Sequence, residues 1–288
     1  MQLKLLHRTE YRYQGTCSES HNEVRLQPVT NRFQTLEQFE LRVSPRVAVF
    51  HHEEVGGVVH HFNLRTPHSQ LVIEADAIVR MHGVNPFTRV NLVRDDADFY
   101  HSDAVKSAYS EYLQPTLYAP FLPEVTEIGA RFLRRTGPVA SQLLELNTYL
   151  NDLLTYDTDA THVQSTLPEV LAKRAGVCQD FAHLMLSTCR AHGIPSRYVS
   201  GYLYVSKGDS LRGEQATHAW VECLMPDHEW VGFDPTNRLL ANDHYIKVHT
   251  GTDYREVSPT KGVYVGPPTE SLNISVKIEN LSRTSVPA

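Results

Sequence analysis

Three residue types that together perform nucleophilic chemistry occur in separate blocks of the second half of the sequence. Cys178 lies in GVCQDFAHL, His218 in THAWVE and Asp234 in GFDPTN. In such a set the thiol attacks an acyl carbon, the imidazole transfers the proton, and the carboxylate orients the imidazole. These residue types predict acyl transfer on an amide through a thioester, provided that the fold places them side by side.

The helix predicted after Gly176 would carry the cysteine. Its apolar positions recur at helical spacing and form one face: Cys178, Phe181, Ala182, Met185 and Cys189. Cys178 lies in the first turn, where unpaired amide groups and the helix dipole favour an anion, so a thiolate would be available near neutral pH. The same amides could hold a developing oxyanion. Cys189 lies three turns deeper, where nothing favours ionisation, and is predicted to belong to the core.

The histidine and the aspartate lie on two strands, THAWVECL and EWVGFD, which MPDH would join as a hairpin turn. If the turn is centred near Pro226, His218 lies opposite Asp234; if it is centred near Asp227, the two are diagonal neighbours. In both registers the side chains share a face, with Cβ atoms about 5 to 7 Å apart. A slip of one residue would put them on opposite faces of the sheet.

Each of these residues has a structural explanation when it is taken alone. A cysteine on an apolar helix face is usually a core residue, His218 could be an ordinary strand histidine, and Asp234 could simply open the DPTN turn. Only the joint arrangement favours catalysis. Gln179 and Tyr202 are predicted to line the substrate cleft, and Trp220 beside His218 is either a wall of that cleft or a core aromatic.

The elements that must position these residues fall into two regions. Residues 1–85 alternate in the β manner, as in QLVIEADAIVR, and predict a β-sandwich-like N-terminal domain. Residues 81–100 are the predicted linker. Helical spacing followed by a block of strands predicts an α+β catalytic domain over residues 86–288, in which the cysteine helix packs on an antiparallel sheet.

Composition excludes several classes of function. A net charge of −6 gives no basic footprint, so nucleic acid is not an expected partner. No apolar run approaches the roughly 18 residues of a membrane span, and MQLKLLHRTEYRYQG does not read as a secretory leader. Four cysteines in 288 residues are too few for a disulfide scaffold, which favours a cytoplasmic location. No histidine spacing indicates a metal site, and no cofactor is expected.

Four of these stretches resemble a known family. GVCQDFAHL, HGIPSRYVSGY, THAWVE and GFDPTN look like the transglutaminase-like superfamily of papain-like cysteine enzymes, and in particular its bacterial members, some of which are described as cysteine proteases. HRTEYRY, NEVRLQP and TPHSQL resemble the β-rich N-terminal domain of these bacterial proteins, and residues 251–266 resemble a segment near their end. The resemblance implies that Cys178 is the nucleophile, His218 the base and Asp234 the orienting carboxylate.

The resemblance does not select one reaction, because the superfamily includes crosslinking enzymes, peptidases, amidases and members that lack the triad. Hydrolysis of a peptide or protein amide is the preferred prediction, since water competes at about 55 M whereas an acceptor amine needs its own site. Protein-glutamine transglutamination is the second prediction, and a non-catalytic scaffold or binding module is the third. Calcium is not implied, and the oligomeric state is left open.

Overall fold

The computed structural model describes residues 1–88, 98–134, 136–206, 211–212 and 216–283. An all-β N-terminal region is followed by helices and a five-stranded antiparallel sheet, which confirms the predicted α+β class and the β-rich first region. Residues 89–97 of the predicted linker lie outside the described residues.

The N-terminal region forms two antiparallel sheets. Its strands are β1 (Gln2–Cys17), β2 (Glu19–Val24), β3 (Gln34–Ser44), β4 (Phe50–Glu54), β5 (Gly57–Leu64) and β6 (His68–Met81). Alternate residues of β6 are buried, as their period of two predicts: Leu71, Ile73, Ala75, Ala77 and Val79. An apolar cluster between the sheets includes Tyr13 and Ile73 from the first sheet and Phe62 and Leu64 from the second.

The central part of the chain surrounds one buried helix. Its elements are α1 (Asp103–Ala108), α2 (Pro123–Phe132), α3 (Val139–Leu153), β7 (Thr155–Tyr156), α4 (Leu167–Lys173), β8 (Ala175–Gly176), α5 (Cys178–Ala191), β9 (Ser196–Leu203), β10 (Thr217–Leu224), β11 (Trp230–Asp234), β12 (Leu239–Leu240) and β13 (Tyr245–Gly251). The sheet has the order β12-β11-β10-β9-β13. Within the described ranges no helix is long and apolar enough to cross a membrane.

Helix α5 is buried more completely than its sequence predicts. Spacing indicated one apolar face, whereas every residue from Gln179 to Arg190 is buried. The reason is that α5 packs on β9 and β10 on one side and against α2 and α3 on the other. Polar residues on the remaining faces are therefore enclosed as well, and they find partners there: the Arg190 guanidinium donates to the backbone oxygens of Ser196 and Thr252.

The chain ends by returning to the N-terminal sheets. After α6 (Tyr254–Val257), the strands β14 (Thr260–Val265) and β15 (Thr269–Asn280) complete them. The two sheets have the orders β15-β1-β6-β3 and β14-β2-β5-β4. The division at residue 85 stays a prediction, but the last strands, which it assigned to the catalytic domain, are hydrogen-bonded to β1 and β2.

The two regions share a buried contact. Leu3 and Leu5 of β1 pack with Tyr202 of β9, Ile246 of β13 and Val276 of β15 in one apolar cluster. The turn between β4 and β5 also reaches the five-stranded sheet, where the amide of Thr250 donates to the oxygen of Gly56 at 3.2 Å. A Cβ at residue 56 would overlap the Thr250 oxygen, so this approach requires glycine.

Replacing Val276 tests whether β15 supports the junction between the regions. We expect Val276→Ala to lower the free energy of unfolding by about 2 kcal/mol, because it removes two methyl groups from a packed cluster. Ile274→Ala is the matched control, since Ile274 lies on the same strand and is 50% exposed. The control should change stability by less than about 0.5 kcal/mol in chemical denaturation. Equal losses in the two variants would contradict this packing.

Candidate active site

The N-terminus of α5 holds Cys178 in a fixed turn. Asp180 Oδ2 accepts hydrogen bonds from the Val177 amide at 2.8 Å and from the Thr161 hydroxyl at 2.6 Å. A Cβ at Gly176 would overlap the Asp180 carboxylate, so the glycine before the cysteine leaves room for this cap. Cys178 is partly exposed, whereas the other three cysteines are buried. The one accessible thiol therefore lies at the end of the helix where amide groups lack helical partners.

His218 and Asp234 meet across the hairpin of β10 and β11. Val221 pairs with Phe233, so the strands adopt the second of the two predicted registers, in which the histidine and the aspartate are diagonal neighbours. His218 Nε2 donates to Asp234 Oδ2 at 2.8 Å, and both side chains are fully buried. Nδ1 of the imidazole is thus the ring nitrogen that remains for a reacting group.

The neighbours of the imidazole favour its protonated form. Burial by itself lowers the pKa of His218, but the charge and hydrogen bond of Asp234, together with the nearby Cys178 thiol, outweigh it and raise the pKa to about 10. Nδ1 is buried and makes no hydrogen bond of standard geometry to any described residue. A protonated imidazole beside the thiol supplies the positive charge that stabilises a thiolate.

Further groups keep Asp234 ionised. Its Oδ1 accepts from the amides of Thr236 at 2.9 Å and Asn237 at 3.3 Å, and its Oδ2 accepts from Asn237 Nδ2 at 2.9 Å and from the Tyr245 hydroxyl at 2.7 Å. Burial raises the pKa of Asp234, but His218, Asn237 and Tyr245 hold it below its usual range. The aspartate therefore does open the DPTN turn, and it binds the imidazole at the same time.

Two side chains that hold this carboxylate, those of Asn237 and Tyr245, were not predicted from the sequence. Asn237 lies in the GFDPTN block, and the tendency of such turns to bond back to their aspartate could have revealed it. Tyr245 gave no such signal, because it lies on β13, which pairs with β9 and is separated from β11 in the sheet.

Trp220 packs against the imidazole and is buried. Its ring stacks on His218 with centroids 6.3 Å apart and meets Tyr245 edge-on at 5.3 Å. Gly201 and Gly232 on the neighbouring strands make room for the indole; a Cβ at residue 201 would lie 2.7 Å from its Cη2 atom. Trp220 is 1% exposed, and its assignment to the wall of the substrate cleft stays a prediction.

The other two predicted substrate-binding residues lie in protein contacts. Gln179 is buried, and its amide donates to the Val163 oxygen at 3.1 Å. Tyr202 is buried at the junction with the N-terminal sheet, where its hydroxyl lies 3.0 Å from His7 Nδ1. Strand periodicity could not predict that the N-terminal domain covers Tyr202. Their assignment to substrate binding stays a prediction.

Three tyrosines from different elements interact electrostatically with Cys178. Burial raises the pKa of each, and Cys178 raises it further, which places Tyr156, Tyr198 and Tyr254 within electrostatic reach of the sulfur. Tyr254 belongs to the stretch of residues 251–266 that the resemblance singled out. Its amide donates to Nε2 of His183 at 3.3 Å, so this stretch packs against α5.

The paired histidines of the N-terminal region lie on the hairpin of β4 and β5. His51 is paired with His60 across the strands, and His52 lies diagonally to His61; ring centroids are 5.6 Å apart in each pair. Across the residues that the structure describes, no group of three or more histidine, cysteine or acidic side chains could hold a metal ion.

The pKa of His218 is directly measurable. We expect its imidazole NMR signals to titrate near pH 10 in the wild-type protein. Asp234→Asn should move the titration downward by several pH units, because it removes the charge that outweighs burial. Asp152→Asn, at an exposed carboxylate, is the control and should leave the titration unchanged. A wild-type imidazole that loses its proton below about pH 7 would contradict this account of the pair.

The sequence of this chain matches known protein families and relatives. Residues 127–235 match the model of the transglutaminase-like superfamily, and residues 3–80 match that of the bacterial transglutaminase-like N-terminal region. An uncharacterized protein of Mycobacterium leprae is 34% identical over 284 residues, which cover 97% of this chain and 99% of that protein. The protein-glutamine gamma-glutamyltransferase of Pseudomonas aeruginosa is 39% identical over 70 residues, 23% of this chain and 10% of that protein.

A solved structure shows the same fold at low sequence identity. The "Putative Cysteine Protease from Cytophaga hutchinsonii" is 18% identical and superposes with a TM-score of 0.70, covering 97% of this chain and 92% of that one. The match to the Mycobacterium leprae protein extends over both regions of the fold, and each region also matches one of the two family models. The chain therefore belongs to the transglutaminase-like superfamily and carries the N-terminal region of its bacterial members.

Proposed function

We propose that this protein is a cysteine-dependent acyl-transfer enzyme that hydrolyses peptide or amide bonds through a thioester on Cys178. The observation that carries the proposal is the buried His218–Asp234 pair, which leaves Nδ1 of the imidazole beside the thiol. Binding alone has no need of a buried ion pair next to an accessible cysteine. Membership of a superfamily of cysteine enzymes supports the same reading.

The geometry suggests a role for each group in the first half of the reaction. The Cys178 thiolate attacks the carbonyl carbon, and the amide groups at the start of α5 stabilise the resulting oxyanion. Protonated His218 gives its proton to the leaving nitrogen, the carbon–nitrogen bond breaks, and the thioester forms. Asp234 keeps the imidazole oriented and compensates its charge throughout.

In the second half, His218 takes a proton from water, and the hydroxide so formed attacks the thioester carbon. The carbon–sulfur bond breaks and the acid leaves, while the proton on His218 again pairs with the Cys178 thiolate. Water is the preferred acceptor, since it competes at about 55 M. Transfer to a primary amine is the second candidate, and the 70-residue similarity to a protein-glutamine gamma-glutamyltransferase favours it.

The proposal predicts that turnover depends on one cysteine. With a glutamine-containing peptide or casein as substrate, Cys178→Ala should reduce kcat/KM by roughly 1000-fold or more, because the nucleophile is lost. Cys189→Ala is the control; Cys189 is buried on α5, 3.9 Å from the sulfur of Cys223, and its loss should leave turnover within a few-fold. Undiminished turnover in Cys178→Ala would refute the assignment.

A primary amine separates the two reactions. Mass spectrometry of the products, with and without added amine, should show the free acid in both cases if the enzyme is a hydrolase. An amine-linked product that replaces the acid would identify a transferase. Failure of the folded wild-type protein to turn over any amide would support a scaffold and contradict the proposal.

A further inference from the structure

One arginine is anchored at the edge of the candidate active site. The amide of Arg212 donates to Asn237 Oδ1 at 2.8 Å, and Asn237 Nδ2 donates to the backbone oxygen of Arg212 at 3.1 Å. The same Nδ2 also donates to Asp234 Oδ2 at 2.9 Å, since a side-chain amide has two N–H groups. The backbone of Arg212 is therefore fixed one side chain away from the carboxylate that binds His218.

The side chain of Arg212 extends to Tyr156. Its Cζ atom lies 5.8 Å from the centroid of the Tyr156 ring, within the range of a cation–π contact. Tyr156 pairs with Gly176 between β7 and β8, two residues before Cys178, and it packs with Cys178 against the same apolar cluster. The guanidinium thus lies one aromatic ring away from the strand that leads into Cys178.

The charges of Cys178 and Arg212 act on the same phenol. Burial raises the pKa of Tyr156, Cys178 raises it further, and Arg212 lowers it. The ring therefore lies within electrostatic reach of both the sulfur and the guanidinium. Together with the backbone anchor, this places Arg212 beside both parts of the candidate active site, the cysteine and the histidine–aspartate pair.

Within the described residues the Arg212 guanidinium has an aromatic ring but no carboxylate as its partner. Two other arginines of the same region do have one: Arg197 on β9 pairs with Glu222 at 2.7 Å, and Arg238 pairs with Asp152. Arg212 is exposed, and its contact with the ring takes up none of its five N–H donors. These donors are therefore available to a ligand.

The acidic residues that follow Tyr156 do not replace such a partner. Asp157 and Asp159 lie on a turn, in which Asp157 Oδ1 accepts from the Asp159 amide at 2.9 Å. Both are exposed, so water screens their charges and their field at a distance is weak. Recognition by Arg212 therefore depends on direct hydrogen bonds. A carboxylate meets this requirement best, because it accepts two parallel N–H bonds from one guanidinium.

We propose that Arg212 binds a carboxylate of the substrate, so that the enzyme prefers amides that carry a negative charge next to the bond to be cleaved. The inference rests on the proposed function, because it takes Cys178 as the residue that attacks the substrate. The carboxylate can belong to an acidic side chain or to the C-terminus of a peptide. Arg212 is then a specificity-determining residue, since it contacts the substrate but takes no part in breaking the bond.

Alkylation of Cys178 tests the carboxylate site without requiring turnover. The reagents are 6-(iodoacetamido)hexanoate and its neutral amide, which differ only in the charged group, and peptide mass spectrometry measures the rate constant at residue 178. We expect the wild-type protein to react faster with the anionic reagent. Arg212→Gln should reduce the ratio of the two rate constants by at least about 3-fold. The variant keeps both backbone bonds to Asn237, so its fold should be retained.

Two further variants identify the group responsible. Arg65→Gln is the matched control, at an arginine of the N-terminal region that is 82% exposed, and it should keep the wild-type ratio. Arg212→Lys keeps the charge without the planar fork and should give an intermediate ratio. The imidazolium of His218 is present in all variants, so its attraction for the anionic reagent cancels. An unchanged ratio in Arg212→Gln, or an equal loss in Arg65→Gln, would overturn the proposal.

Peptide substrates identify the source of the carboxylate. The first peptide has aspartate beside a glutamine and an amidated C-terminus, the second has asparagine in place of the aspartate, and the third is the second with a free C-terminus. We expect kcat/KM of the first or the third to exceed that of the neutral peptide by about 10-fold, and Arg212→Gln to remove the preference. Preference for the first indicates an acidic side chain, and preference for the third indicates the C-terminus.

The two measurements separate this inference from the proposed function. Equal turnover of all three peptides would overturn the inference and leave the proposed function intact. An alkylation ratio that depends on Arg212, with no turnover of any peptide, would contradict the proposed function and retain the carboxylate site.

Discussion

The geometry of the candidate active site depends on one buried ion pair, that of His218 with Asp234. Removing two charges from water costs several kcal/mol for each ion unless both are well hydrogen-bonded. Here Asp234 accepts bonds from Thr236, Asn237 and Tyr245 as well as from the imidazole. The pair is therefore held by the turn after β11 and by Tyr245 of the distant strand β13, and not by its own two strands alone.

The N-terminal domain contributes to this arrangement through β13. The Gln34 side chain bonds both backbone groups of Lys247, accepting from its amide at 2.8 Å and donating to its oxygen at 2.9 Å. The amide of Val29 donates to the same Lys247 oxygen at 3.1 Å. Because β13 also carries Tyr245, the N-terminal region fixes the strand whose tyrosine holds Asp234. An active-site contact thus depends on residues more than two hundred positions away in sequence.

Much of the fold and the placement of His218 beside Asp234 could be predicted, since they follow from local periodicity. Alternation in QLVIEADAIVR predicted a half-buried strand, and parity in THAWVECL and EWVGFD placed His218 and Asp234 on one face. The glycine before Cys178 and the helical spacing after it predicted the start of α5. These patterns report on neighbours within one element or one hairpin.

Contacts between elements that are distant in sequence produce no local pattern from which they could be predicted. Parity could not show that the N-terminal sheet covers Tyr202, nor that β14 and β15 return to the first domain. The Gln179 side chain is held by a loop sixteen residues earlier, which its helical position did not indicate. For the same reason the contact of Tyr245 could not be predicted. Its strand β13 is not adjacent to β11, yet its hydroxyl donates to Asp234.

The central claim is that the imidazolium of His218 and the start of α5 activate Cys178. The rate constant for its alkylation by iodoacetamide, measured across about pH 5 to 8 on the native protein, tests this most directly. The account predicts that Cys178 reacts faster than a free cysteine throughout this range, and that His218→Ala removes the advantage at its acidic end. A Cys178 that reacts no faster than a free thiol at every pH would contradict it.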